Sequence, residues 1–368
     1  MTLTDRDADV VSFNQALDEF SQIIPIDRGA GEYKLVYESR PPVFANLDDL
    51  IDTARTRAQQ VLFRSRAVLP AARILRLDNA RVAERGAVIT KNDQQILETL
   101  LYGRPVDVAT VPEREFRDFT VLLRKPGDGN YGHWLIEMCS RISEYRRAYP
   151  ADDWKVAIPY HPQETRGLRQ RTLQWLGIDR DRIVWLTGTT TRFHDLAFIT
   201  SNSVHSHTHA PEGIRSVRNA ALNTMGNTVR DLKKGRRFFL CRDPNRFRAL
   251  LNEAEILEIC KGYGFEAVRP ERLSIDEQVC LFSSAECIMG VSGAALTNIL
   301  FAPQGCKILS LNPNHGPEFF FWDIANILGQ EFSYIFGPVV DPERSVHSAF
   351  RVDAQLVADW LKEQVGAQ

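Results

Sequence analysis

The sequence predicts an α/β fold built on a parallel sheet. Two features carry that reading, and both are clearest between Arg236 and Asn312. Short apolar runs alternate with helix-like stretches, the order that produces parallel strands joined by crossover helices. The turn Gly290-Val-Ser-Gly-Ala-Ala-Leu-Thr-Asn298 stands where a strand should give way to a helix. A sheet of this kind exposes helix N-termini along one edge. Their unbonded N–H groups and the helix dipole favour phosphate there. The expected ligand is a nucleotide or another phosphorylated molecule.

Taken in order, Val10, Phe13, Leu17, Phe20 and Ile24 recur at spacings of three and four and predict an amphipathic N-terminal helix. Residues 40–120 are mixed, with a strand-like run at Arg81–Ile89 and a helix-like segment near Asn92–Leu101. From Phe119 the alternation is regular. FTVLLR is a strand, GDGN opens a helix, KVAIP is a strand, Glu164–Leu176 a helix, RIVWL and LAFIT two strands, and Glu212–Arg230 a helix. Lys233, Lys234 and Gly235 form a polar break. Beyond it the strands RRFFLC, FEAVRP, ECIMGV, KILSL and FSYIFG alternate with helices over Asn252–Gly262, Ser274–Ser283, Ala294–Phe301 and Glu318–Leu328, and Ala354–Gln364 is a last helix. A chain of 368 residues suits two domains. They are expected at 1–230 and 231–345, with 346–368 returning toward the first.

Composition is globular, 44% hydrophobic and 25% charged, and 45 Lys+Arg against 47 Asp+Glu leave a net charge of −2. So even a balance gives no overall drive toward nucleic acid or an anionic membrane, although Arg236, Arg237, Arg242, Arg246 and Arg248 form a local basic patch. Six cysteines without a CxxC pair read as reduced thiols. The acidic, polar start MTLTDRDADVV is unlike a signal peptide. The uncharged run 287–306 is broken by Gly290, Ser292, Gly293, Thr297, Asn298, Pro303 and Gly305, which suits a buried strand and helix better than a membrane span.

Four constellations bear chemistry. In the 290–298 turn, Ser292 can cap the following helix and Gly293 admits close backbone approach, so that the amides of Gly293, Ala294 and Ala295 face a diphosphate; a plain strand-to-helix turn is the bland alternative. Arg242-Asp-Pro-Asn-Arg246-Phe-Arg248 follows a strand end, where open α/β sheets bind ligands and guanidinium forks suit phosphate oxygens; a solvated basic loop is the alternative. Asn252-x-x-Glu255 and Ser274-x-x-Glu277 read as capping boxes, with Gln278 a weaker ligand contact. In Asn130-Tyr-Gly-His133-Trp134-Leu-Ile-Glu137, His133 and Glu137 share a helix face, and a carboxylate beside an imidazole suits a general base. Asn130 would start that helix and Trp134 could stack on a sugar; a capping loop with a surface ion pair is the alternative. His205, His207 and His209 would face one side of a strand, but no cysteine or clear carboxylate accompanies them, so no metal site is expected. There is no GxSxG elbow.

These residues resemble glycosyltransferase family 61. Its N-[YF]-x-H-W-x-x-[DE] segment is matched by Asn130-Tyr-Gly-His133-Trp134-Leu-Ile-Glu137. Its C-terminal block is matched by Cys241-Arg242, Arg248, Asn252-Glu253, Gly264-Phe265, Pro270-Glu271, Leu273-Ser274, Glu277-Gln278, Leu281-Phe282, Ala285, Gly293–Asn298 and Phe301-Ala302-Pro303. Three positions depart from it: Ser292 stands for the usual His, Glu137 for Asp, and Ala295 for the second glycine of GAGLTN.

The resemblance implies two Rossmann-like domains facing each other across a cleft (GT-B), and an inverting, metal-independent transfer of a sugar from a nucleoside diphosphate sugar to a hydroxyl of a glycan or lipid-linked glycan, with no cofactor. It places the donor on the C-terminal domain, at Arg242, Arg248, Asn252, Glu277, Gln278, Ser292, Gly293, Ala294, Ala295, Thr297 and Asn298. The acceptor falls on the N-terminal one, at Asn130 and Trp134, with His133 or Glu137 as base. By the same analogy the enzyme is cytoplasmic and acts in cell-surface polysaccharide assembly. The alternatives are a nucleotide-sugar epimerase and a non-catalytic nucleotide- or glycan-binding protein.

Overall fold

The computed structural model describes residues 10–12, 15–25, 35–38, 40–62, 66–69, 72–83, 86–100, 103–125, 127–160, 166–200, 203–204, 208–243 and 247–366. Phe13, Leu101, Glu164, His205, His207 and Arg246, all named above, lie outside them. The α/β class holds. The chain divides into two compact units, Met1–Leu35 with Leu69–Val204 and Val36–Val68 with His205–Gln368.

In the first unit the strands that matter are β1 (Arg73–Val82), β2 (Thr120–Leu122), β3 (Lys155–Pro159), β4 (Ile183–Leu186) and β5 (Thr191–Ile199), in the spatial order β1-β5-β2-β3-β4. The contacts β5/β2, β2/β3 and β3/β4 are parallel, with Val121 opposite both Ala197 and Val156, while β1 runs antiparallel to β5. Leu75, Leu77, Leu122, Ala157, Val184, Phe193 and Leu196 share one buried core. Each fully buried aliphatic or aromatic side chain contributes about 1.5–3 kcal/mol.

Two local expectations are corrected here. The N-terminal stretch is not a helix: Phe20–Pro25 is a strand, with Ile23 opposite Leu75 and Ile24 opposite Ile74 of β1. The β-branched pair and the closing proline favour an extended edge, and tertiary pairing overrides the helical spacing. Residues 92–100 form the short strand Gln95–Ile96 and one 3₁₀ turn, Leu97–Thr99. The Gln95 amide holds it extended by clasping Val106, donating to its carbonyl at 2.9 Å and accepting from its N–H at 2.8 Å.

The second unit has a six-stranded sheet in which every pairing is parallel. Its strands are β6 (Arg236–Leu240), β7 (Phe265–Val268), β8 (Ala285–Val291), β9 (Lys307–Pro313) and β10 (Glu331–Gly337), ordered β7-β6-β8-β9-β10, with Val43–Phe44 beyond β10. This is the doubly wound order 2-1-3-4-5, whose switch point lies between β6 and β8. The helices Glu253–Lys261, Ile275–Ser283 and Phe319–Leu328 form as the periodicity predicts. Ala294–Phe301 is instead a 3₁₀ helix, an unusually long run of that geometry. The helix Pro211–Met225 packs on Ile275–Ser283 and Phe319–Leu328, so by compactness it goes with the second unit, which resumes at His205. In Ala354–Gln364, Val357, Trp360 and Leu361 close the same core as Ile256, Cys260, Met289 and Leu309.

Candidate active site

In the first unit, the chain leaves β2 at Leu122 and runs through Arg124 and Lys125 to a helix that begins at Tyr131. Asn130 starts this helix as expected: its side-chain oxygen accepts from the N–H of Gly132 at 2.8 Å and of His133 at 3.5 Å. A π-helical turn over Trp134–Cys139 follows, a departure from α geometry that recurs at functional sites. His133 Nδ1 is bonded to Glu137 Oε2, so the four-residue spacing does bring the pair together. Lys125 Nζ lies 2.6 Å from the same oxygen, and Ser203 Oγ donates to Glu137 Oε1 at 2.8 Å.

The Glu137 carboxylate is fully buried, and the Lys125 ammonium offsets the cost of its charge. Burial pushes the Lys125 amine down from its usual range while Glu137 opposes that shift. With the carboxylate bonded at Nδ1, the imidazole is held in the tautomer whose basic nitrogen is Nε2. The arrangement suits proton uptake at Nε2, with Glu137 stabilising the imidazolium that forms.

Trp134 is corrected. It is 1% exposed, its Nε1–H donates to Thr172 Oγ1 at 2.9 Å, and the Arg169 guanidinium covers its ring at 4.4 Å. A ring enclosed in this way has no face to offer a sugar.

In the second unit, the two other constellations meet at the switch point. Arg242 follows the end of β6, and Ser292-Gly293 follows the end of β8. They touch: a Cβ built on Gly293 would collide with the Arg242 guanidinium. Gly293 has an extended backbone, so its role is space rather than conformation. The Arg242 N–H donates to Glu253 Oε2 at 2.9 Å and its Nε to the Phe247 carbonyl at 2.8 Å, which aims the side chain at the turn. Arg248 holds φ at +61°, a left-handed backbone that costs a non-glycine residue about 1–2 kcal/mol. Its Nη1 donates to the Ser292 carbonyl at 3.2 Å, and burial pushes its guanidinium down.

Ser292 does not cap the helix. Gly293 occupies that position, and Ser292 Oγ, Thr297 Oγ1 and Arg248 Nε are buried without a hydrogen-bond partner among the described residues. The first turn bond of the 3₁₀ helix runs from the Leu296 N–H to the Gly293 carbonyl at 2.9 Å, so the Ala294 and Ala295 amides precede it. Asn298 donates to Gln278 Oε1 at 2.8 Å and to the Ala295 carbonyl at 3.1 Å, and Gln278 Nε2 to the Leu273 carbonyl at 3.1 Å; this pair braces the turn. The Ser274–Glu277 capping box is formed. The one at Asn252 is not: Asn252 Nδ2 donates to the Val352 carbonyl at 2.9 Å and to Glu255 at 3.0 Å, and its oxygen accepts from the Val352 N–H at 3.3 Å. At the carboxyl ends of β6 and β7 a cavity of about 480 Å³ is lined by Cys241, Val268, Arg269, Arg272, Leu273 and Leu281.

Sequence reasoning missed Lys125 and Ser203, and named Glu253 in the matched block without giving it a role. Lys125 lies a few residues past the end of β2, a signal that applied at Arg242 and not only there, whereas Glu253 opens the helix Glu253–Lys261. Nothing local marks Ser203, 66 positions from Glu137. His209, considered for a metal, is buried and bonded through Nδ1 to Asp323 at 2.8 Å; no cluster of metal-binding side chains occurs among the described residues.

The family model described as Glycosyltransferase 61 matches residues 131–309. Residues 131–309 belong to glycosyltransferase family 61. That stretch takes in the His133–Glu137 pair and the switch-point turn together. The alpha-1,3-arabinosyltransferase XAT3 of Oryza sativa subsp. japonica is 32% identical over 95 residues, which are 24% of this chain and 16% of that protein. No helix among the described residues is long and apolar enough to cross a membrane.

Proposed function

We propose that the chain is an inverting glycosyltransferase. It moves a sugar from a nucleoside diphosphate sugar to a hydroxyl of a glycan or lipid-linked glycan, in cell-surface polysaccharide assembly. The observation that carries the donor half of this reading is the switch point, where Arg242 lies against Gly293 and three buried polar atoms, Ser292 Oγ, Thr297 Oγ1 and Arg248 Nε, lack partners among the described residues. Leaving such groups unmet costs about 1–3 kcal/mol each, and diphosphate oxygens would satisfy them. Arg242, Arg248 and the Ala294 and Ala295 amides supply positive potential for the departing diphosphate. The 480 Å³ cavity at the carboxyl ends of β6 and β7 has room for the nucleoside. On the other unit, His133 takes the acceptor proton at Nε2 as the hydroxyl oxygen attacks the anomeric carbon and the bond to the diphosphate breaks. Fixed cations supply the charge that a divalent ion would otherwise bring, so the reaction needs no metal.

The test is a panel of nucleotide sugars screened for thermal stabilisation, since a ligand of the native state raises its melting temperature. The stabilising donor is then incubated with and without glycan acceptors. Transfer to an acceptor, lost in His133→Ala with donor affinity kept, supports the assignment. Normal turnover of His133→Ala removes that residue from the chemistry. An epimerised donor in the absence of acceptor, or saturable binding with no turnover on any acceptor, refutes the transferase reading.

A further inference from the structure

At the carboxyl ends of β2 and β5, where a parallel sheet binds its ligands, the first unit has a cavity of about 50 Å³ whose polar lining is Glu98, Thr99, Arg124, Lys125, Arg141 and Thr200, Glu98 being exposed. On a scale of roughly 10–15 Å³ per water, that is room for about three to five waters, or for one carboxylate- or phosphate-sized group. Its cations are withdrawn from solvent: the side chains of Arg124 and Lys125 are 8% and 19% exposed, and Arg141 is 5% exposed. Arg124 is paired with Asp128 at 3.0 Å and Lys125 with Glu137 at 2.6 Å. Arg141 is different. Its Nε donates to the Glu137 carbonyl at 3.0 Å and its Nη1 to the Arg124 carbonyl at 3.3 Å, both main-chain acceptors, and no carboxylate bonds it among the described residues. Burial pushes all three of these cations down from their usual ranges, and the Asp128 and Glu137 charges only partly oppose that at Arg141. A buried cation whose charge is only partly balanced is costly, and an anion in the cavity it lines offsets that cost.

We propose that this cavity is an anion subsite beside the His133–Glu137 pair, and that it selects an acceptor carrying a carboxylate or phosphate, from a uronic acid residue or a phosphate-linked glycan. That the anion belongs to an acceptor rests on the transferase reading. The anion binding itself does not, and it is measured without turnover. The full chain is titrated by calorimetry with inorganic phosphate, glucuronate and glucose, as wild type, Arg141→Gln, Thr200→Glu and Arg242→Ala. Thr200→Glu places a like charge at the cavity and keeps the test alive if Arg141→Gln does not fold. The expected result is that the wild type binds an anion and not glucose, and that Arg242→Ala, which removes a cation of the switch point, keeps a component of anion binding that Arg141→Gln or Thr200→Glu weakens at least tenfold. Preference for glucuronate points to a uronic acid, and preference for phosphate to a phosphate-linked acceptor. The subsite is overturned if no anion binds, if glucose binds as well, if the cavity variants that fold bind like wild type, or if only Arg242→Ala loses binding, since the anion then belongs to the switch point. Anion binding confirmed alongside failure to transfer sugar would sink the transferase reading and leave the subsite standing.

Discussion

Gly293→Ala isolates the role of the switch-point turn. Gly293 has an extended backbone that alanine adopts without strain, so the effect comes from the new methyl group alone. That methyl would overlap Arg242 Nη1. The end of a flexible side chain can move, and the bond it gives up, Arg242 Nε to the Phe247 carbonyl at 2.8 Å, lies on the surface. A lost hydrogen bond of this kind costs about 1 kcal/mol, so the melting temperature should fall by no more than about 4 °C. The ligand effect is larger. A hydrogen bond between a guanidinium and a phosphate oxygen is worth about 1.5–3 kcal/mol, and each 1.4 kcal/mol is about tenfold in affinity. Gly293→Ala should therefore weaken binding of the nucleoside diphosphate by about 10- to 150-fold. Calorimetric titration of the wild type, Gly293→Ala, Arg242→Ala and the double variant forms a cycle. If the methyl acts by displacing Arg242, the double variant binds no more weakly than Arg242→Ala. Unchanged affinity in Gly293→Ala, or losses that add across the cycle, would refute the assignment.

Four further outcomes are expected. Trp134→Ala should destabilise the protein by about 3–5 kcal/mol, read as a lower denaturant midpoint, because the ring is 1% exposed and hydrogen-bonded; full stability with loss of acceptor binding would restore it as a sugar platform. Ser292→Ala should leave the ligand-free protein as stable or up to about 1–3 kcal/mol more so, since Oγ is buried and unpartnered, yet weaken donor binding. Burial pushes the Cys260 and Cys287 thiols up to about 12, so at about pH 8 both stay protonated and iodoacetamide should label the half-buried Cys280 first in a mass-spectrometric time course. Chelation with EDTA should leave the transfer rate unchanged, and restoration of a lost rate by added Mg²⁺ or Mn²⁺ would contradict the metal-independent scheme.

Much of the second unit was legible because its local signals agree with its fold. β6 to β10 read as apolar runs since both faces of that sheet are covered, and Ser274 with Glu277 forms the box its spacing describes. Asn252 has the same spacing and forms none, because the Val352 backbone, 100 positions away, takes its amide. The first unit was harder to read. The apolar spacing from Val10 to Ile24 counts like a helix, and only β1 as a partner makes part of it a strand. In the candidate site, the His133–Glu137 contact follows from four residues of helical rise.

The sequence by itself determined the α/β class, the family of residues 131–309, and the contacts that separations of three or four residues bring about, because helical and strand periodicity act over a few bonds. The tertiary structure decided which of those side chains are enclosed and which meet one another. It buried Trp134 beneath Arg169, folded Arg242 onto Gly293, and gathered Lys125 and Ser203 around one buried carboxylate. Each of these depends on which strand lies beside which, and strand order is set by packing across the whole sheet rather than by any local run of residues.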